Sequence, residues 1–91
     1  MKLQVLKFGA SWCGPCKTLN PIFTSVEEEY VAKGELVKFT KVDIDSDPEA
    51  SIKYNIRNVP TILYIVDEEV KEKQVGVVNK ESICQLIEKY K

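Results

Sequence analysis

The chain has 91 residues, of which 44% are hydrophobic and 30% are charged, and its formal net charge is -1 at pH 7. This length suffices for one small domain, 1–91, with a single core. The nearly balanced charge disfavours a nucleic-acid-binding surface, and no apolar run approaches the roughly 20 residues that span a bilayer. The first residues lack the apolar core of a signal peptide, so we expect a cytoplasmic protein.

The first two predicted strands flank a long helix. Residues 2–9 predict a strand that is apolar on both faces, through Leu3, Val5, Leu6 and Phe8, and that Lys7 interrupts. Apolar residues then recur at three- and four-residue steps from 14 to 32, which predicts an amphipathic helix kinked at Pro21. The β-branched and aromatic residues of 36–44 predict the second strand.

A short second helix should follow this strand. Gly34 is a suitable stop for the first helix. Asp47 followed by Pro48 is a helix-start signal, a capping side chain before a proline in the first turn. We expect the helix to end near Asn55, because asparagine tolerates the left-handed backbone conformation.

The last third of the chain predicts a hairpin and a helix. Residues 60–66 and 70–78 predict two strands that pair as a hairpin. The link between them, 67–69, contains no glycine, so we expect a turn looser than the tight two-residue types. Asn79 can cap a final helix with one apolar stripe, formed by Ile83, Leu86, Ile87 and Tyr90. The order βαβαββα predicts an α/β fold with helices packed on a four-stranded mixed sheet.

The cysteines suggest chemistry rather than cross-linking. Cys13 and Cys16 lie within "WCGPCK", where the first strand meets the first helix, and Cys84 is remote from them. A bridge between Cys13 and Cys16 would close a very short loop, which removes little entropy from the unfolded chain. A zinc site within one chain is also disfavoured, because there is one C-x-x-C pair and no histidine.

Placement at a helix N-terminus favours a redox role for this pair. The unpaired amides and the positive end of the helix dipole stabilise a thiolate on Cys13, lowering its pKa below the free value of about 8.5. Cys16 lies one helical turn further on, within reach of a disulfide. Cys13 can therefore attack a disulfide of another molecule, and Cys16 can resolve the resulting mixed disulfide.

These motifs resemble the thioredoxin family. The resemblance rests on "WCGPCK", Pro21, "NVPT" at 58–61 and "VG" at 75–76, and it extends over nearly the whole chain. It implies a thioredoxin fold that lacks the family's extra N-terminal strand and helix. It also implies a thiol-disulfide oxidoreductase that reduces protein disulfides through Cys13 and Cys16.

The resemblance also implies a role for each matching residue. Cys13 would be the exposed nucleophile, Cys16 the buried resolving thiol, and Val59-Pro60 a cis peptide bond beside them. Target proteins would bind to a small apolar patch made of Trp12, Gly14, Pro15, Val59, Pro60, Val75 and Gly76. The partners would be disulfide-containing proteins and a thioredoxin reductase or glutathione. The protein would act as a monomer with no metal and no bound cofactor, and NADPH would contribute only through the reductase.

Lys7 departs from the family pattern. The family has a buried aspartate at this position, behind the disulfide, whereas Lys41 matches a family lysine near the buried thiol. If the Lys7 ammonium approaches the thiols, it should favour the thiolate and make the couple more oxidising. Alternatively, Lys7 extends to the surface along its aliphatic stem. Asp43 is a possible ion-pair partner for either lysine.

Other interpretations remain open. The short chain is compatible with a glutaredoxin-like enzyme that glutathione re-reduces, although that family usually has tyrosine where Gly14-Pro15 stands. A metal-binding module and a redox-inert interaction domain on the same fold are two further alternatives. Cys84 is interpreted as a partly buried small hydrophobe, with a regulatory thiol as the alternative.

Overall fold

The computed structural model describes residues 2–91, which form four strands and three helices in the predicted order βαβαββα. These elements are β1 (Leu3–Gly9), α1 (Gly14–Ala32), β2 (Val37–Asp43), α2 (Pro48–Lys53), β3 (Thr61–Val66), β4 (Glu69–Val75) and α3 (Lys80–Tyr90). Across the described range 2–91, no helix is long and apolar enough to cross a membrane.

The strands form one mixed sheet in the order β2-β1-β3-β4. β1 runs parallel to β2, with α1 as the crossover, and antiparallel to β3, while β3 and β4 form an antiparallel hairpin. The predicted four-stranded mixed sheet is therefore confirmed. The C-terminal end of the central strand β1 leads directly to the cysteine motif.

Helices cover both faces of the two central strands. On one face, α1 and α3 pack against β1 and β3 through a core that includes Leu3, Val5, Phe23 and Ile83. On the other face, Phe8 and its neighbours pack against residues of α2 and the loop after it. Burial from both sides explains why all six residues of β3 are buried.

The predicted helix ends are confirmed. At the start of α2, the Asp47 carboxylate accepts a hydrogen bond from the Ala50 amide at 3.2 Å. At the start of α3, Asn79 Oδ1 accepts one from the Ser82 amide at 2.8 Å. Asn55 and Gly34 have φ angles of 53° and 71°, the left-handed conformation expected just beyond a helix.

The prediction of a loose hairpin turn was wrong. β3 ends at Val66 and β4 begins at Glu69, so only Asp67 and Glu68 connect them. Both have positive φ angles, 52° and 67°, as a tight type I′ turn requires. The pairing of the two strands selects this turn even without glycine. The second strand of the hairpin is also shorter than the predicted 70–78, because it ends at Val75, before Gly76 with its φ of 90°.

Candidate active site

The two cysteines of the motif form a disulfide at the start of α1. Cys13 is the N-cap residue, and its Sγ accepts a hydrogen bond from the Cys16 amide at 3.2 Å. Pro15 lies in the first turn of α1, where a missing amide leaves no hydrogen bond unmade. Cys13 Sγ thus lies at the positive end of the helix, as the motif predicts.

Both sulfur-bearing residues are buried in this disulfide form. Cys13 is 5% exposed and Cys16 is 2% exposed, and both pack against Ala10 and Val59. The expectation of an exposed Cys13 is therefore wrong for the oxidised state, because the carbonyl of Val59 lies 3.8 Å from its Sγ. Cys16 is the more buried of the two, as expected.

The Val59-Pro60 loop lies beside the disulfide. The peptide bond between these residues is cis, which confirms the expectation from the resemblance. The Pro60 carbonyl accepts a hydrogen bond from the Gly76 amide at 2.8 Å, so the end of β4 is fastened to this loop. These contacts bring the segments 59–60 and 75–76 to the side of the site formed by Cys13.

The predicted docking patch combines exposed and buried members. Trp12 is 66% exposed and Val75 51% exposed, and the Trp12 indole N–H donates a hydrogen bond to Asp45 Oδ2 at 3.0 Å. Gly14 and Pro15 are exposed, Val59 and Gly76 are half-buried, and Pro60 is buried. The patch therefore offers apolar side chains at its edge and backbone groups near the disulfide.

An apolar cleft beside Trp12 was not identified from the sequence. It has a volume of about 280 Å³, and its lining includes Ile44, Ile52, Ile56 and Val59. Ile52 is 79% exposed, and only Ala50 of its helix α2 packs against the sheet core. The sequence signal was the spacing of Ile52 and Ile56, but an apolar pair at four-residue spacing usually indicates a buried helix face.

Lys7 is buried and does not extend into solvent. Only 4% of Lys7 is exposed, and its Nζ donates a hydrogen bond to Asn20 Oδ1 on α1. The ammonium also lies 5.9 Å from the centre of the Phe23 ring. Burial lowers the pKa of Lys7, and the positive charge of Lys41 lowers it further.

The ion pair of Asp43 with Lys7 or Lys41, which the sequence left open, does not form among residues 2–91. Within residues 2–91, neither Lys7 nor Lys41 has a carboxylate oxygen within 4.0 Å. Lys41 instead donates a hydrogen bond to Thr24 Oγ1 at 2.8 Å, and Asp43 Oδ1 accepts one from the Asp45 amide at 2.9 Å. Lys7, Lys41 and Asp43 nevertheless line one surface cleft of about 330 Å³ behind the cysteines.

Cys84 does not take part in this site. It is a half-buried free cysteine on α3, and its Sγ lies 3.9 Å from Glu29 Oε2. Burial raises the pKa of the Cys84 thiol, and the nearby Glu29 carboxylate acts in the same direction. A protonated thiol at neutral pH agrees with its interpretation as a small hydrophobe.

The chain is similar to known thioredoxins in both sequence and structure. The family model described as Thioredoxin matches residues 1–89. The thioredoxin of Bacillus subtilis (strain 168) is 37% identical over 83 residues, which cover 91% of this chain and 77% of that protein. The thioredoxin structure from Fasciola hepatica superimposes with a TM-score of 0.87 at 32% identity, covering 99% of this chain and 82% of that one.

Plant relatives are longer. The chloroplastic M-type thioredoxin of Triticum aestivum is 38% identical over 86 residues, which cover 94% of this chain but 47% of that protein. The chain thus spans about half the length of the chloroplastic relatives it matches. The match of the family model, the shared fold and the Cys13–Cys16 disulfide agree, and the chain belongs to the thioredoxin family.

Proposed function

We propose that this protein reduces disulfide bonds of other proteins through the Cys13–Cys16 pair. The observation that carries the proposal is the position of Cys13 Sγ, which caps α1 and accepts a hydrogen bond from the Cys16 amide. After reduction of the pair, the same amide and the helix dipole stabilise a thiolate on Cys13. A thiolate is the form that attacks a disulfide.

The reaction proceeds in two exchange steps. The Cys13 thiolate attacks one sulfur of the target disulfide, forming a mixed disulfide and releasing the second target sulfur as a thiolate. Cys16 loses its proton and attacks Cys13 Sγ, which forms the Cys13–Cys16 disulfide and releases the first target sulfur. The target gains two electrons and, in water, two protons, and the two cysteines lose the same.

The target chain binds across the surface around Cys13. Trp12 supplies an exposed aromatic side chain, and the apolar cleft beside it continues the surface toward α2. The Val59 carbonyl points toward Cys13, so an extended target segment can make a backbone hydrogen bond close to its own disulfide. Gly14, Pro15, Pro60, Val75 and Gly76 complete this proposed docking patch.

The electron donor is proposed to be a thioredoxin reductase that draws on NADPH. The protein itself needs no bound cofactor, since the disulfide carries the electrons. The sequence "WCGPC" supports this assignment over a glutaredoxin-like cycle, in which glutathione would be the donor. Turnover with a thioredoxin reductase and NADPH, compared with turnover by glutathione alone, tests the choice.

The proposed site is complete within one chain, which supports action as a monomer. We place this activity in the cytoplasm, where thiols are kept reduced. The plant relatives are named as chloroplastic, so the chloroplast is the competing location. Fractionation of the native organism and sedimentation of the pure protein test these two proposals.

Lys7 and Lys41 are proposed to tune the pair. Both lie at the cleft behind the cysteines, and neither is neutralised by a carboxylate among residues 2–91. Positive charge near a thiol lowers its pKa and stabilises the reduced form. Separate replacement of each lysine by methionine should therefore make the redox potential more negative.

The deciding experiment is reduction of insulin with dithiothreitol as the electron source. The wild type should accelerate the reduction, and Cys13→Ser should abolish the acceleration. Cys16→Ser should instead accumulate mixed disulfides with the target, visible on a non-reducing gel. Cys84→Ser serves as the control and should match the wild type. Full activity of Cys13→Ser would refute the proposed mechanism.

A further inference from the structure

The cleft behind the cysteines brings two lysines of neighbouring strands together. Lys7 on β1 and Lys41 on β2 are partners in the sheet register, and both side chains extend toward α1, where they donate hydrogen bonds to Asn20 and Thr24. The cleft between them has a volume of about 330 Å³. Since a water molecule occupies about 30 Å³ in the liquid, this space is large enough for a small anion and several waters.

The two ammonium groups have no negative partner in direct contact. In the described part of the chain, 2–91, no carboxylate oxygen lies within 4.0 Å of either Nζ. Lys7 is buried, and of its three N–H donors one is used by Asn20 Oδ1. Burial of a charge without a counter-ion costs free energy, and the like charge of Lys41 adds to that cost. An anion placed between the two ammonium groups would lower both costs.

Other side chains add donors to the cleft. Because Asn20 Oδ1 accepts the hydrogen bond from Lys7, the Asn20 Nδ2 group presents two N–H donors. The hydroxyl of Ser11, which also lines the cleft, can donate a further hydrogen bond. Asp43 is the acidic member of the lining, and its Oδ1 accepts a hydrogen bond from the Asp45 amide. Two lysines and one aspartate leave the lining with a net charge of +1.

We propose that this cleft binds a phosphate group between the ammonium groups of Lys7 and Lys41. At pH 7 a phosphate group carries about 1.5 to 2 negative charges, which matches the two lysines. Its oxygens can accept hydrogen bonds from the ammonium, amide and hydroxyl groups of the lining. A carboxylate such as acetate has one charge and two oxygens, and therefore fits this set of donors less well. Asn20 and Lys41 are exposed, so the cleft is open to solvent and to the ligand.

A phosphate in this cleft should also act on the cysteine pair. A Cβ atom placed on Gly9 would lie 3.5 Å from Cys16 Sγ and 3.7 Å from Lys7 Nζ, so the sulfur and the ammonium border the same small space. The charge of Lys7 favours a thiolate at the pair, and a bound phosphate offsets that charge. Phosphate should therefore bind the disulfide form more tightly and, by linkage, make the pair harder to reduce. This coupling rests on the disulfide-reducing function proposed above, whereas the binding itself does not.

Titration of the oxidised protein with sodium phosphate at pH 7, followed by ¹H–¹⁵N NMR, tests the binding. Sodium chloride keeps the ionic strength constant, so that general screening is the same at every point. We expect saturable shifts at the side-chain amide of Asn20 and at the backbone amides of Ser11 and Lys41. Lys7→Met should weaken the binding by about 10- to 100-fold. Lys38→Met, at an exposed position on β2, is the matched control and should bind phosphate as the wild type does.

Asp43→Asn should change the affinity in the opposite direction. It removes the negative charge from the lining but keeps an Oδ1 acceptor for the Asp45 amide, so binding should tighten by about two- to fivefold. A gain of affinity cannot result from damage to the fold, so this variant isolates the effect of charge. Glycerol phosphate, titrated in the same way, distinguishes a site for phosphate esters from a site for free phosphate, and acetate should bind more weakly than either.

The redox coupling is measured as the equilibrium of the protein with dithiothreitol in saturating phosphate and in chloride of the same ionic strength. The equilibrium constant for reduction should be about two- to fivefold smaller in phosphate, and Lys7→Met should remove this difference.

The proposals fail in different ways. Shifts that do not saturate, or a phosphate affinity that Lys7→Met leaves unchanged, would overturn the phosphate site. The same redox equilibrium in phosphate and in chloride would overturn the coupling. Failure of the wild type to accelerate insulin reduction in chloride buffer would instead refute the disulfide-reducing function.

Discussion

The Gly76 amide donates a hydrogen bond to the Pro60 carbonyl at 2.8 Å, and this contact joins the end of β4 to the loop beside the disulfide. Gly76 has a φ of 90°, which a residue with a side chain adopts only at a cost. The glycine therefore allows the chain to leave β4 while its amide still faces Pro60. The shape of the proposed docking patch depends on this backbone conformation.

Gly76→Ala should weaken target binding as well as stability. The backbone strain should lower the free energy of unfolding by about 1–2 kcal/mol, and the shifted loop should raise the KM for insulin. Gly34→Ala is the control, because Gly34 has a similar φ of 71° but lies beyond the far end of α1. It should lose similar stability, measured by urea unfolding, and keep the wild-type KM. Equal KM values in the two variants would contradict the role of Gly76.

Trp12→Ala should weaken target binding without destabilising the fold. Trp12 is 66% exposed, so its removal costs little core packing, but exposed aromatic residues contribute strongly to protein interfaces. We expect the KM for insulin to rise about tenfold, with the thermal midpoint nearly unchanged. Val31→Ala removes an apolar side chain of the same 66% exposure on α1, remote from the cysteines, and should leave both quantities unchanged. A normal KM in Trp12→Ala would remove Trp12 from the docking patch.

Cys84 should react slowly with alkylating agents at neutral pH. Burial and the Glu29 carboxylate raise the pKa of its thiol, so the reactive thiolate fraction at pH 7 is smaller than that of a free cysteine. In a Cys13→Ser, Cys16→Ser double variant, the rate of modification by iodoacetamide should therefore rise only at pH values above the ordinary cysteine pKa. Glu29→Gln should shift this rise to lower pH. Rapid alkylation at pH 7 would favour the regulatory-thiol interpretation instead.

Local patterns were sufficient to predict the element order and the cysteine pair. Asp47 and Asn79 reveal helix starts through their own capping groups, and the two cysteines are three positions apart in the sequence. The turn at Asp67 was mispredicted because strand pairing, a tertiary interaction, overrode the preferences of the turn residues. The partner of Lys7 was also out of reach, since Asn20 meets it only after α1 packs on the sheet.

Lys7→Met should stabilise the oxidised protein near neutral pH. Lys7 is buried, and its amine has a neutral amide rather than a carboxylate as its partner, so charging it in the native state costs free energy. We expect a gain of about 1–3 kcal/mol at pH 7, measured by urea unfolding. Using the disulfide form removes the titration of Cys13 and Cys16 from the comparison.

This advantage should shrink as the pH rises. Below the lowered pKa of Lys7, the amine is charged in both the native and the unfolded states, and the native state bears the full cost. Between that value and the ordinary lysine pKa of about 10.4, the unfolded state holds a proton that the native state has released. The wild type therefore gains stability with pH across this window, whereas the variant does not. The free energy of unfolding of Lys38→Met, plotted against pH, should be parallel to that of the wild type. A curve parallel to the wild type for Lys7→Met would mean that Lys7 has an ordinary pKa in the native state.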